Sequence, residues 1–155
     1  MLVSDLVSRD FSTAHHSATI IDLVKIFCRE NTNGIFIVDE NGTFEGLVTI
    51  FEVLQAIVPD SLRRNPNLAK AAPRGLFFEM VEKKKNEPAE KFMLKNVPVV
   101  HEATKIIEIA ANSLQTEHYR LPVVDENGKL IGVVNRRILR DAMAEKLGIS
   151  CDVKL

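Results

Sequence analysis

Apolar residues change their spacing along this chain in an order that occurs twice. Ile20, Val24, Phe27 and Cys28 fall at helical spacing until Asn31-Thr32-Asn33-Gly34 supplies a stop. A short apolar run follows, Ile35 to Val38, then Asp39-Glu40-Asn41-Gly42 and a second run from Thr43 to Thr49. Asn-Gly between two β-like runs predicts a tight hairpin, because both residues accept positive φ. A second helix is predicted from Phe51 to about Ile57, and a short extended piece near Phe11 to Ala14 opens the set. Further along, Ile106, Ile107, Ala110, Ala111 and Leu114 repeat the first helix. Runs from Leu121 to Val124 and from Lys129 to Asn135 repeat the hairpin. A helix from about Arg136 to Leu147 closes this set at Gly148, and Val97 to Val100 opens it. The return strands carry Leu47-Val48 and Ile131 with Val133-Val134, apolar on both faces, which predicts strands covered on both sides.

The two sets also agree in letters. Val38-Asp39-Glu40-Asn41-Gly42 recurs as Val124-Asp125-Glu126-Asn127-Gly128. In the same register Gly46 meets Gly132 and Val48 meets Val134, while Ala18-Thr19 meets Ala103-Thr104 one residue out of step. Two copies and no third mean a duplicated module, not a solenoid. The reading is an α+β protein of tandem β-α-β-β-α repeats, with repeat 1 over 1–58, a linker over 59–88, repeat 2 over 89–150 and a tail over 151–155. The linker holds four of the six prolines. Within it Leu76, Phe77, Met80 and Val81 follow Pro73 at helical spacing, which predicts an amphipathic helix buried against a neighbour. Lys83-Lys84-Lys85 reads as its solvated end.

Composition narrows the function classes. Twenty basic residues against twenty-one acidic ones leave no surplus for a nucleic-acid footprint. Asp5, Arg9 and Asp10 break any signal-peptide core, and no apolar run reaches the roughly 20 residues of a membrane span. Cys28 and Cys151 form neither a metal knuckle nor a disulfide framework, so a reduced, cytoplasmic protein is expected. Cys28 is expected in the core with Ile20, Val24 and Phe27. His15-His16 and His101 precede the first helix of each copy, but no Cys or further His lies at ligand spacing, so no metal site is expected. No Ser or Cys has a motif pairing it with a base and no Gly-rich phosphate loop occurs, so the chain is not read as an enzyme.

The duplication, with Arg120-Leu121-Pro122-Val123-Val124 running through the hairpin to Leu130-Ile131-Gly132-Val133-Val134, resembles a tandem pair of cystathionine-β-synthase (CBS) domains, a Bateman module. The resemblance implies two sheets packed about a pseudo-twofold axis, with clefts between the copies. It also implies a homodimer that senses an adenosyl ligand (AMP, ADP, ATP or an S-adenosyl compound) and regulates a partner protein, with no cofactor required. The alternative is the same fold with degenerate clefts, used only for dimerisation or docking.

Site residues carry over from this family unevenly. Its nucleotide signature is Gly-x-hydrophobic-Thr/Ser-x-x-Asp, in which the hydroxyl borders the cleft and the Asp meets the ribose. Copy 1 reads Gly46-Leu47-Val48-Thr49-Ile50-Phe51-Glu52, so Thr49 fits and Glu52 replaces Asp. Copy 2 reads Gly132-Val133-Val134-Asn135-Arg136-Arg137-Ile138, where Asn135 replaces the hydroxyl and the acid is gone. Ser12, Thr13, Gly34, Ile35 and Phe36, with Tyr119, Arg120, Leu121 and Pro122, resemble cleft-lining positions. Thr49-x-x-Glu52 is equally a capping box that needs no ligand. Arg136 and Arg137 open a helix, where cations are unfavourable unless an anion joins them. The expected site takes sugar contacts from copy 1 and phosphate contacts from copy 2.

Overall fold

The computed structural model describes residues 3–115 and 120–151. These residues fall into two compact units that do not follow the sequence repeats. One holds residues 12–40 and 45–96; the other holds 3–11, 41–44 and 97–151. The leading segment of each repeat is thus built into the unit that carries the other repeat's sheet.

The first unit is organised on a sheet of order β1-β2-β3, from β1 (Ser12–His15), β2 (Gly34–Val38) and β3 (Phe44–Thr49). β1 and β2 are parallel, with Ser12 opposite Ile35 and His15 opposite Val38. The helix α1 (Ile20–Glu30) joins them and begins at a Thr19–Asp22 capping box. Its leading amides, which have no partner within a helix, donate to the linker: Ile20 to Glu87 O and Ile21 to Lys85 O, both at 3.0 Å. α2 (Ile50–Ile57) follows β3 directly. The core combines Ile20, Leu23 and Phe27 with Ile35, Ile37, Val48, Val53, Ile57 and Ala89.

The expected helix face is corrected here. Leu23 is fully buried, whereas Val24 is 40% exposed and Cys28 is exposed. At 100° per residue, Ile20 and Phe27 lie together at one edge of the buried stripe, which runs on through Leu23 to the half-buried Ile26, away from Val24 and Cys28.

The linker forms α3 (Asp60–Arg64), a 3₁₀ turn over Pro66–Ala71, and α4 (Leu76–Lys84). Only part of the expected burial occurs. Met80 and Val81 pack half-buried on the core, while Phe77 stays 48% exposed and Phe78 72% exposed. The two rings meet edge-to-face at 5.4 Å, in place of a deeper contact. Leu76, Phe77 and Met80 line an open cavity with Ile57, Leu62 and Pro66, so this face of α4 is only partly covered.

In the second unit β4 (Arg120–Val124) and β5 (Leu130–Asn135) form an antiparallel pair. The expected opening strand, Val97 to Val100, is reduced to one parallel bridge between Val100 and Val123. Pro98 has no N–H to extend the ladder backward. Ser8 bridges the other side through Ser8 N to Val133 O at 2.8 Å and Val133 N to Ser8 O at 2.9 Å. The two Asn-Gly turns pair as well: Phe44 N donates to Gly128 O and Leu130 N to Gly42 O, each at 3.0 Å. Gly42 and Gly128 hold φ of 82° and 80°, as such turns demand.

The helices here are α5 (Ile106–Gln115) and α6 (Arg136–Lys146), and the core is Val3, Val100, Ile109, Leu121, Val123 and Val134. The expected α5 face is also corrected: Ile109 and Ser113 are buried, while Ile107 is 72% and Leu114 82% exposed. A serine fits the core because its hydroxyl donates to Ile109 O at 2.8 Å.

Candidate functional site

In the first unit, the chain brings several candidate residues to the N-terminal ends of β1 and β2. Ser12 is buried and lies opposite Ile35. Gly34 is buried between strands: a Cβ there would sit 3.4 Å from Leu47 Cδ1 and 3.7 Å from Thr49 Cγ2. The sequence juxtaposes Gly34 and Thr49 in this way because β2 and β3 are neighbours in the sheet. Ile35 and Phe36 are completely buried, so they support the sheet from within, while Thr13 is exposed.

Thr49 caps α2. Its hydroxyl accepts from Phe51 N at 3.2 Å, and its own amide donates to Glu52 Oε1 at 3.1 Å. The hydroxyl also lies 3.1 Å from each Glu52 oxygen. The capping box read from Thr49-x-x-Glu52 is therefore formed, and Glu52, 3% exposed, is folded back on its own helix.

In the second unit, Arg120 and Asn135 are cross-strand partners at the open end of the β4–β5 pair. The Asn135 side chain accepts from Ile138 N at 3.0 Å and caps α6, so asparagine here does what Thr49 does for α2. Arg136 donates from Nη2 to Ser113 O at 3.2 Å, satisfying a carbonyl in the last turn of α5. Arg137 is exposed on the first turn of α6. The Arg120 guanidinium donates to Asp10 O. Burial lowers its pKa from the ordinary arginine value, and the Asp10 charge works in the opposite direction. Leu121 and Pro122 are buried in β4, and Tyr119 lies outside the described residues.

One group escaped the linear reading. His15, His16 and Glu40 each place a ligand atom within 4.8 Å of the others. His15 Nε2 is 2.7 Å from Glu40 Oε1, and His15 Nδ1 is 2.7 Å from Ser17 Oγ. His16 Nδ1 is 2.7 Å from Glu45 Oε1, and that hydrogen bond raises the His16 pKa above its usual value. The signal was the His-His pair combined with strand register: His15 pairs with Val38, two residues before Glu40.

Residues 3–59 and 89–145 each match the CBS domain family. The chain belongs to the CBS-domain family. Its fold is the mixed α+β fold of a CBS pair, two repeats in tandem. Among curated proteins it is 26% identical over 133 residues to an L-aspartate semialdehyde sulfurtransferase of Methanocaldococcus jannaschii, covering 86% of this chain but 21% of that enzyme. It is 26% identical over 144 residues to the chloroplastic CBS protein CBSX1 of Arabidopsis thaliana, covering 88% of this chain and 61% of that one. The chain thus spans about a fifth of the first relative and three fifths of the second. Among solved CBS structures, CBSX2 in complex with AMP gives a TM-score of 0.68 at 24% identity, covering 94% of this chain and 98% of that one. The CBS pair of protein MJ0100, in complex with 5′-methylthioadenosine and S-adenosyl-L-methionine, gives 0.65 at 24% identity, covering 92% and 99%. At these identities the likeness to solved structures is one of fold. No helix among the described residues is long and apolar enough to cross a membrane.

Proposed function

We propose that this CBS pair is a regulatory module that binds an adenosine-containing ligand and passes the bound state to a partner protein, without catalysis of its own and within the cytoplasm. Support comes from the end of the first unit's sheet, where the side-chain-free Gly34 lies beside Thr49 at the start of α2. The CBS pairs crystallised with AMP and with adenosyl compounds support the ligand class. In this reading Thr49 and Glu52 serve the ribose. Glu52 then plays two parts, since its carboxylate already accepts from Thr49 but retains lone pairs for a sugar hydroxyl.

Thermal-shift screening against AMP, ADP, ATP and S-adenosyl compounds, followed by calorimetry, tests this. Glu52→Ala is expected to weaken any adenosyl ligand that binds. Unchanged affinity would remove Glu52 from the ligand site.

Specific surfaces favour a second reading, assembly with another copy. α5 and α6 leave an apolar groove of about 770 Å³ lined by Ile106, Ala110, Leu114, Leu139, Met143 and Leu147. Leu114, Met143 and Leu147 are each more than 60% exposed. The first unit repeats the pattern with Val24, Phe51 and Leu54 on α1 and α2. Val53 and Ile57 on α2 take no part in this face, since both are buried in the core. We propose that these faces are covered in a homodimer.

A further inference from the structure

We propose that His15, His16 and Glu40 form a site for a divalent transition-metal ion of the zinc class, with Glu45 holding His16 in place. The three ligand atoms already converge within 4.8 Å of one another. Two imidazoles and one carboxylate are a donor set suited to zinc, cobalt or nickel, not to magnesium or calcium. The site stands apart from the proposed ligand residues. β1 and β2 are parallel, so Ser12 and Gly34 lie at their beginnings and His15 and Glu40 at or beyond their ends. Three residues of strand separate them, about 10 Å.

The surroundings are arranged for ligation. His16 gives its Nδ1 to Glu45 Oε1, the carboxylate–imidazole pairing that fixes a ring and leaves Nε2 for the ion. Glu40 and Glu45 flank the Asn41-Gly42 turn, so a bound ion ties β1 to both arms of the hairpin. His15 Nε2 and Glu40 Oε1 are 2.7 Å apart, a hydrogen bond that the ion must replace. Metal bonds of about 2.0–2.1 Å at a tetrahedral angle need roughly 3.3 Å between the two atoms. The Glu40 side chain is 72% exposed and free to make that small adjustment. Ligation through Nε2 takes the other tautomer of the ring, with the proton on Nδ1 donated to Ser17 Oγ. The Ser17 amide, which lies 3.2 Å from Nδ1, gives up its bond in exchange. Three protein ligands leave the remaining position to water.

The test uses the full chain without an affinity tag, in a C28S/C151S background that removes competing thiolates. Calorimetry with Zn²⁺ is expected to show one ion per chain, and Co²⁺ to give the intense visible bands of a four-coordinate site. H16A and E40Q should each weaken Zn²⁺ at least tenfold, and E45Q by about 10–100-fold as an outer-shell change. H101A should leave affinity unchanged. Zn²⁺ should raise the melting temperature of the parent and not of H16A, whose own melting without metal shows that it folds. No saturable Zn²⁺ binding, or binding indifferent to both H16A and E40Q, would overturn the proposal. So would a loss in H101A as large as in H16A.

Discussion

Glu52→Ala separates a structural carboxylate from a ligand-binding one. The side chain is 3% exposed, and its carboxylate takes the Thr49 amide at 3.1 Å together with the Thr49 hydroxyl. Removing it deletes half of a capping box, which costs about 1 kcal/mol. It also strands an amide in a half-buried position, adding roughly 1 kcal/mol, the lower end of the range for an unsatisfied donor. In a chain of this size each kcal/mol moves the melting point by about 2–4 °C, so E52A should melt roughly 4–8 °C below the parent without ligand. E52Q keeps an acceptor for the amide and loses only the charge at the head of α2, about 0.3–1 kcal/mol. Its melting point should fall far less. Binding divides differently. If the carboxylate also meets the ribose, both variants lose more than tenfold in affinity for an adenosyl ligand, equivalent to about 1.5–3 kcal/mol for a charged hydrogen bond. Differential scanning calorimetry on the empty proteins and titration calorimetry with ligand read the two effects independently. An E52A protein that melts with the parent would refute the capping argument; unchanged affinity in E52Q and E52A would remove Glu52 from the ligand site.

Other expectations follow from particular contacts. A Cβ at Gly132 would lie 2.1 Å from Val7 Cγ1 and 3.0 Å from Ser8 O, so G132A should cost about 1–3 kcal/mol by overpacking, and a variant that melts with the parent would contradict this. Leu114→Glu places a charge in the α5–α6 groove and should turn a dimer into a monomer by light scattering; a parent protein already monomeric at tens of micromolar would sink the assembly proposal. Hydrogen bonds from the Thr19 amide and hydroxyl hold the Asp22 carboxyl below its ordinary pKa of 3.8. A depressed carboxylate stabilises above the unfolded value and loses that contribution as pH falls. D22N should therefore melt below the parent at neutral pH and converge with it as the pH falls below the ordinary value of 3.8; a gap that persists in acid would assign the loss to something other than charge.

Repetition made the fold legible before any coordinates. The Asn-Gly turns, the paired glycines and the alternation of helical and strand spacing all act locally, so linear text carries them. What was lost depends on partners distant in sequence. The glycine shared by both copies is required for one reason twice over: a crossing segment presses on it, Met93 and Leu94 at Gly46, Val7 and Ser8 at Gly132. Nothing in the spacing shows that these segments are exchanged between repeats. The helix faces of α1 and α5 were misjudged because exposed apolar residues such as Val24, Ile107 and Leu114 look like core when only hydrophobicity is counted. Thr49 and Glu52 were legible as a capping box because the motif spans one turn. Glu40 was not legible as a neighbour of His15, since only the parallel register of β1 and β2 joins them.

Titration calorimetry of the purified chain with AMP, ATP and S-adenosylmethionine tests the central claim most directly. At least one should bind saturably, and affinity should fall more than tenfold in a Thr49→Val variant, which keeps the side-chain shape and removes the hydroxyl. A chain that binds none of the three at concentrations near 1 mM, where binding energy is only about 4 kcal/mol, would contradict the sensing role and leave assembly as the function of the fold.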